Sequence, residues 1–268
     1  EHYLPSGNDS RVPKNLYSIT LSLGDKIDTL VGFFGINQKP TSSKDPFALR
    51  RLALGIIRII LENNKSIKLK DLINYSYNLY LEQGFKLNNE TIYKDLNIFF
   101  IERLKNYMKE KEIRHDIIEA SINSYGIDNM IKAYKKALVL NKLINKHIGE
   151  TVISCYKRAS NILDQELKNL EFELSNNVDI GLFKNDFEKN LYKKIQDLKK
   201  YFTNLDKDEN YETSLENLAE SKVIIFDFFD NVMVNDKDKA IKKNRLELLN
   251  MLCKTYDSYI NFSNIETL

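Results

Sequence analysis

The amino-acid sequence predicts an all-α protein, and three observations support this class. Apolar residues recur at spacings of three and four along most of the chain, as they do on one face of a helix. Glycine and proline, which interrupt helices, number only 9 and 4 in 268 residues. No segment shows the strict polar–apolar alternation that is typical of a half-buried strand.

The first half of the chain contains an irregular start followed by regular helical patterns. Residues 16–31 predict the first helix, and a loop then extends to Pro46. Further helical patterns occupy residues 49–60, 69–79 and 92–108. Ser66 is predicted to cap the N-terminus of the helix at 69–79, and Gly84 and Gly126 lie where helices are expected to end.

The second half continues the helical pattern. It predicts helices over about 128–146, from 150 to beyond 170, and over 241–256. Two pairs of residues have the spacing of a capping box, Asn185 with Glu188 and Thr213 with Glu216. Asn235 is predicted to cap the last helix. A break at 125–128 predicts a domain boundary that divides the chain into 1–127 and 128–268.

The composition limits the partners that the protein can have. Hydrophobic residues make up 43% of the chain, enough for a substantial core and two domains. The net charge is only +2, so any contact with RNA is expected from local patches. No apolar run approaches the roughly 20 residues of a membrane span. Two separate cysteines, Cys155 and Cys253, indicate free thiols in a reducing cytoplasm.

A pair of carboxylates on one predicted helix face is the first chemically informative feature. Asp25 and Asp28 are three residues apart, so both point to one side of the helix, and His2 precedes them. This order resembles the closing half of an HD-type phosphohydrolase domain, in which histidine and aspartate bind divalent metals that activate water. The structural alternative is a helix cap, or ion pairs with Lys26, Arg50 or Arg51.

A basic loop with several hydroxyl groups precedes the second predicted helix. Residues 39–46 combine threonine and serine side chains with Lys44, and backbone N–H groups at a helix N-terminus attract anions. The loop is therefore either a contact for an RNA phosphate or a neighbouring subunit, or an ordinary loop capped by serine or aspartate.

A basic segment in the second half suits RNA recognition. Lys157, Arg158 and Asn161 are predicted to share one helix face, where cations can contact phosphates and an amide can contact a base edge.

A second polar group borders the apolar residues near the C-terminus. Asn231, Asn244 and Arg245 suit either hydrogen bonding at helix ends or the reading of an unstacked nucleotide.

Five ordered parts of the sequence resemble the β subunit of the bacterial two-subunit glycyl-tRNA synthetase. They are residues 25–51, 99–104 with 114–120, 157–163, 228–234 and 244–249. The resemblance covers nearly the whole chain, and because the sequence does not begin with methionine it predicts the C-terminal part of a longer protein. Asn37 and Ser42 depart from the family pattern, since both stand where glycine is expected and both stiffen the loop.

The resemblance implies a fold and a function. Residues 1–127 would form an N-terminally truncated HD-like helical domain, and residues 128–268 a DALR-type anticodon-binding helical bundle. The chain would be the tRNA-binding part of a cytoplasmic glycine–tRNA ligase, with no catalytic residue, cofactor or metal of its own. Its expected partners are tRNA(Gly) and an α subunit that uses ATP and glycine, in a hetero-oligomer without DNA or membrane contacts.

With this function, the polar residues described above become the candidate site residues. Those expected to hold the tRNA are Lys44, Lys157, Arg158, Asn161, Asn231, Asn244 and Arg245. Two alternatives stay open at this point. One is a metal-dependent HD-type phosphohydrolase with ligands His2, Asp25 and Asp28, and the other is a helical scaffold that contacts the α subunit without affinity for RNA.

Overall fold

The computed structural model describes residues 1–7, 10–168, 174–175, 177–204 and 210–266. In these residues the regular structure consists of α-helices and short 3-10 turns, and no β-strand occurs. The all-α prediction is therefore confirmed. The chain divides into two compact units, Glu1–Lys135 and Lys136–Leu268. Within the described residues, no helix combines the length and the apolar character needed to cross a lipid bilayer.

The first unit is built around the long helix α1. Its helices are α1 (Leu16–Gly35), α2 (Leu49–Glu62), α3 (Leu69–Glu82), α4 (Asn89–Glu110) and α5 (His115–Tyr125). Helix α1 packs against α2, α3 and α4, and α4 also packs against α2 and α5. The apolar positions that predicted these helices, such as Leu30, Ile56 and Phe100, are fully buried between them. Burial of this repeated apolar face stabilises the helices in place.

The second unit is centred on two long helices. Helix α6 (Met130–Leu143) contains the division between the units, and α7 (His147–Leu167), α8 (Asp186–Asn204), α9 (Tyr211–Ala219), α10 (Lys222–Asn231) and α11 (Lys239–Asp257) follow. Helix α7 packs against α9, α10 and α11, and α8 packs against the same three helices. Residues such as Val152, Leu191 and Leu248 form the buried core.

The predicted capping box at the start of α8 is confirmed. Asn185 Oδ1 accepts a hydrogen bond from Glu188 N at 3.1 Å, and Glu188 Oε2 accepts one from Asn185 N at 3.2 Å. The same carboxylate oxygen accepts a shorter bond from Lys184 N at 2.7 Å. Glu188 therefore bonds the N–H groups of the two residues that precede the helix.

Three other predicted caps are wrong, because a neighbouring side chain has the correct geometry. Asn210, not Thr213, caps α9 by accepting from Thr213 N at 3.1 Å. Asp238, not Asn235, caps α11 by accepting from Ala240 N at 2.8 Å. Ser66 does not cap α3, where the carboxylate of Asp128 accepts from Lys70 N at 2.8 Å instead.

The glycine and asparagine residues at helix ends show the backbone geometry expected of them. Gly84 and Gly126 have φ angles of 88° and 60° just beyond α3 and α5. Asn37, which departs from the family pattern, also has a left-handed φ of 60°. Asparagine tolerates this conformation better than most residues, so the position keeps the turn that a glycine would make.

The predicted break at 125–128 coincides with the end of α5, whereas the compact units divide further on, inside α6. The assignment of 1–127 and 128–268 to two domain types stays a prediction.

The half-buried residue Asp257 makes the stability of the second unit sensitive to pH. Its Oδ1 accepts from Phe262 N at 2.9 Å, and its Oδ2 accepts from Tyr156 OH at 3.3 Å. Burial is the largest influence and raises the pKa of Asp257 from 3.8 to about 6. Between these two values the folded state holds a proton that the unfolded state releases. The contribution of Asp257 to stability therefore decreases as pH rises from about 4 to 6.

We predict that Asp257→Asn removes this dependence. From pH 4 to pH 7, wild-type protein should lose about 1–2 kcal/mol of unfolding free energy relative to the variant, after allowance for partial exposure of the carboxyl group. Urea denaturation at both pH values measures the difference. Asp197→Asn, at an exposed site on α8, is the matched control. Parallel pH profiles for wild type and Asp257→Asn would contradict the prediction.

Candidate nucleic-acid interface

Helix α7 carries the basic segment that the sequence predicts as an RNA contact. The apolar side of the helix, with Val152, Cys155 and Ala159, is buried in the second unit. This packing leaves Lys157 and Arg158 half-buried and Asn161 exposed. The exposed side of α7 therefore presents positive charge and an amide to solvent.

Arg158 is anchored to helix α10. Its guanidinium group lies over the rings of Phe226 and Phe229, at 4.7 and 4.8 Å from their centroids. Its Nη2 also donates to Asp230 Oδ1 at 2.9 Å. These contacts fix the orientation of the side chain, and the ion pair with Asp230 offsets part of its charge.

Lys157 and Asn161 differ from Arg158, because neither side chain has a hydrogen bond or ion pair with another part of the described chain. They are four residues apart, so they are neighbours on the helix surface. Asn231 is exposed at the last residue of α10, and its Nδ2 donates to Asp227 O at 2.9 Å. The prediction that Asn231 lies at a helix end is confirmed, and its amide oxygen is left for another partner.

Asn244 and Arg245 lie inside the second unit instead of on its surface. Asn244, 4% exposed, accepts from Asp179 N at 2.7 Å and donates to Asp179 O at 2.9 Å. Arg245, 5% exposed, donates from Nε to Glu188 Oε1 at 2.8 Å and from Nη1 to Asp236 Oδ2 at 2.7 Å. Both residues therefore have a structural role, because they bond other parts of the second unit. Since they are buried, they are not part of the candidate interface.

The loop before α2 caps the N-terminus of that helix. Asp45 accepts from Leu49 N at 2.8 Å and from Arg50 N at 3.0 Å, so a carboxylate already occupies the amides that the sequence predicts as an anion site. The alternative of a loop capped by aspartate is therefore confirmed. Lys44 is exposed in this loop.

The predicted metal-ligand residues of the first unit are not brought together. Asp28 accepts from Ser76 Oγ at 2.9 Å and from Tyr80 OH at 3.3 Å, and Asp25 is exposed to solvent. The His2 ring lies 3.9 Å from the ring of Tyr3. In the described ranges no group of three or more histidine, cysteine, aspartate or glutamate residues could hold a metal ion.

The predicted ion pairs of these carboxylates are also wrong. The ammonium group of Lys26 is buried and donates to Ser22 Oγ at 2.7 Å and to Leu4 O at 3.2 Å. Burial lowers the pKa of Lys26, and the charge of Asp25 only partly opposes this effect. Arg50 pairs with Asp45 at 3.9 Å.

Sequence reasoning missed the partners that position these polar residues. Phe226 and Phe229 are three residues apart, and both are half-buried beneath Arg158. The three-residue spacing of these two aromatic residues is visible in the sequence and is the signal that could have indicated a shared helix face. Asp179, the partner of Asn244, carries no local signal, because it lies 65 residues away in the sequence.

Two family models match the chain. Residues 1–123 match the model described as glycyl-tRNA synthetase beta subunit, and residues 152–268 match the DALR anticodon binding domain. The chain is thus similar to the glycyl-tRNA synthetase β subunit. The resemblance seen in the sequence is thereby confirmed.

Curated relatives in this family are similar to the chain over almost its full length. It is 38% identical over 266 residues to the glycine–tRNA ligase beta subunit of Rickettsia africae (strain ESF-5), and 34% identical over 265 residues to that of Clostridioides difficile (strain 630). Both alignments include 99% of the chain but only 37% of the relative. The chain thus spans little more than a third of these relatives.

The two family matches divide the candidate residues. Lys157, Arg158, Asn161 and Asn231 lie in the part that matches the anticodon binding domain, whereas Lys44 lies in the part that matches the β-subunit model. Cys155 and Cys253 are buried free thiols, as the sequence predicts. Burial raises the pKa of the Cys253 thiol to about 12, which keeps it protonated and unreactive at neutral pH.

We predict that Arg245→Met destabilises the second unit by about 3–5 kcal/mol, because Glu188 would stay buried without its charge partner. Urea denaturation measures the loss. The double variant Glu188→Gln with Arg245→Met removes the unpaired charge and should recover part of it. A loss below about 1 kcal/mol for Arg245→Met would mean that the residue is not a structural partner of Glu188.

Proposed function

We propose that this chain is the tRNA-binding part of a glycine–tRNA ligase β subunit. In this proposal it holds tRNA(Gly) while a partner α subunit uses ATP and glycine for the chemical steps. The matches of residues 1–123 to the β-subunit model and of residues 152–268 to an anticodon binding domain support the proposal. The relatives are named as beta subunits, which supports a second type of subunit in the assembly.

The uncommitted cation and amide on α7 are the observation that carries the proposal. Lys157 and Asn161 are adjacent on the helix surface and have no partner among the described residues. A lysine can neutralise a backbone phosphate, and an asparagine can donate to and accept from a base edge in single-stranded RNA. In an anticodon loop the backbone phosphates and the base edges are accessible together, because the bases are not paired in a duplex.

Arg158 has a supporting role in this proposal. Its guanidinium group is held over Phe226 and Phe229 and beside Asp230. A side chain fixed in this way loses little conformational freedom when a phosphate binds, which favours binding, whereas the ion pair with Asp230 offsets part of its charge. Asn231 and Lys44, both exposed, stay secondary candidates for RNA contact.

We predict that Lys157→Ala weakens tRNA(Gly) binding and reduces the slope of log K against log salt by about one, because one phosphate contact is lost. Asn161→Ala should weaken binding at every salt concentration without changing the slope, because an amide releases no counterion. Filter binding across a salt series measures both quantities. Lys65→Ala, at an exposed lysine of the first unit, is the matched control for lost charge.

Each result has a defined meaning. If Lys157→Ala and Lys65→Ala change affinity and slope equally, the α7 surface has no special role in binding. If the wild-type chain does not bind tRNA(Gly), the proposed function fails and a helical scaffold for the α subunit becomes the better interpretation.

A further inference from the structure

The first unit contains an arginine-lined cavity that the tRNA contacts on α7 do not use. Its volume is about 490 Å³, and it lies where the start of α2 meets the C-terminal half of α4. Cavities that bind small molecules usually measure roughly 300–1,000 Å³. The side chains that determine its charge are Arg50, Arg51 and Arg103, with Asp45 and Glu110.

Arg103 is the strongest indication of a ligand. Its guanidinium group lies 5.6 Å from the centroid of the Phe99 ring, and its side chain is only 20% exposed. Nη2 donates to Glu102 Oε2 at 3.3 Å, but Nε is buried and has no hydrogen-bond partner. A buried N–H group of a charged side chain without an acceptor is costly. A rotation of the side chain that turns Nε toward the cavity would let a bound oxyanion supply that acceptor.

The other two arginines provide one fixed and one uncommitted cation. Arg50 Nη2 donates to Thr41 O, and Nη1 lies 3.9 Å from Asp45 Oδ2. Arg51 is exposed and makes no hydrogen bond or ion pair within the described part of the chain. Guanidinium groups bind phosphate through two parallel N–H donors, so a pair of them on neighbouring helices suits a phosphate group.

The two carboxylates of the cavity have unequal effects. Asp45 is bonded to Leu49 N and Arg50 N, so its charge is committed to the start of α2. It also excludes a ligand from those amides, which leaves side chains as the donors. Glu110 is exposed at the last residue of α4 and has no such partner among the residues that the structure describes. The lining has three guanidinium groups and two carboxylates, and Glu102 beside Arg103 adds a third carboxylate. Attraction for anions therefore depends on Arg51, which has no carboxylate partner among the described residues, and Glu110 opposes it.

We propose that this cavity binds a phosphate group through Arg51 and Arg103, with Arg50 as a fixed neighbour. The phosphate can come from the backbone of a bound tRNA or from a small phosphorylated compound. For tRNA as the source, the inference rests on the function proposed above; for a small compound it is independent of that function.

Calorimetric titration with pyrophosphate and filter binding with tRNA(Gly) distinguish the sources. Arg51→Ala should weaken the binding of the true ligand about tenfold, because a charge-assisted contact is lost. Arg103→Gln should have a similar effect, and Glu110→Gln should strengthen binding by removing the opposing charge. Arg11→Ala is the matched control, since Arg11 is an exposed arginine of the same unit outside the cavity.

Pyrophosphate binding that is lost in Arg51→Ala identifies a small phosphorylated compound, whereas an effect on tRNA alone identifies the RNA backbone. The proposal is overturned if neither probe binds wild-type protein, if Arg51→Ala changes neither affinity, or if Arg11→Ala has an equal effect. Since Arg51 is exposed, its substitution keeps the test valid even if Arg103→Gln disturbs folding.

The two proposals fail separately. If the chain binds pyrophosphate through Arg51 but has no affinity for tRNA, the proposed function is contradicted and the proposed phosphate site is supported. A tRNA affinity that responds to Lys157 but to none of the cavity residues, with no pyrophosphate binding, would do the reverse.

Discussion

The buried ion pair between Arg245 and Glu188 is the interaction on which the second unit depends. Both side chains are almost completely buried, and each makes further bonds, Glu188 to the backbone before α8 and Arg245 to Met233 O at 2.8 Å. Buried charges are tolerated only when they are paired and hydrogen-bonded. Residues 184–188 and 233–236 are therefore held to one position on α11.

Helix α11 repeats this arrangement at neighbouring positions. Asn244 holds the backbone of Asp179, and Glu247 accepts from Ser175 N at 2.7 Å. The backbone N–H and C=O groups of these irregular segments are thus bonded by polar side chains of α11, where a helix or sheet would bond them to other backbone groups. Since α11 also packs against α7 and α8, and α8 packs against α10, the same framework positions the aromatic rings beneath Arg158. The candidate RNA surface is therefore supported from within.

The sequence predicts the helices well because their signal is local, whereas the roles of single polar residues depend on distant partners. Periodic apolar residues and the Asn185–Glu188 pair lie within a few residues of each other, so the start of α8 could be predicted. The choice of Asp238 over Asn235 as the cap of α11 depends on backbone geometry, which composition does not determine. Glu188, the buried partner of Arg245, is 57 residues away, and nothing near Arg245 indicates that it is buried. The order of motifs predicted the family, but it could not separate surface cations from internal ones.

Because the net charge is only +2, any contact with RNA depends on which cations lie on the surface and which are paired inside the protein. Cations that already have carboxylate partners, such as Arg245 with Glu188, contribute little to an external field, because their charge is offset inside the protein. Lys157 and Arg51 have no such partner among the described residues, and Arg103 keeps one unsatisfied donor. A nearly neutral helical protein can bind phosphate selectively with these few groups, because its balanced remaining surface attracts polyanions only weakly.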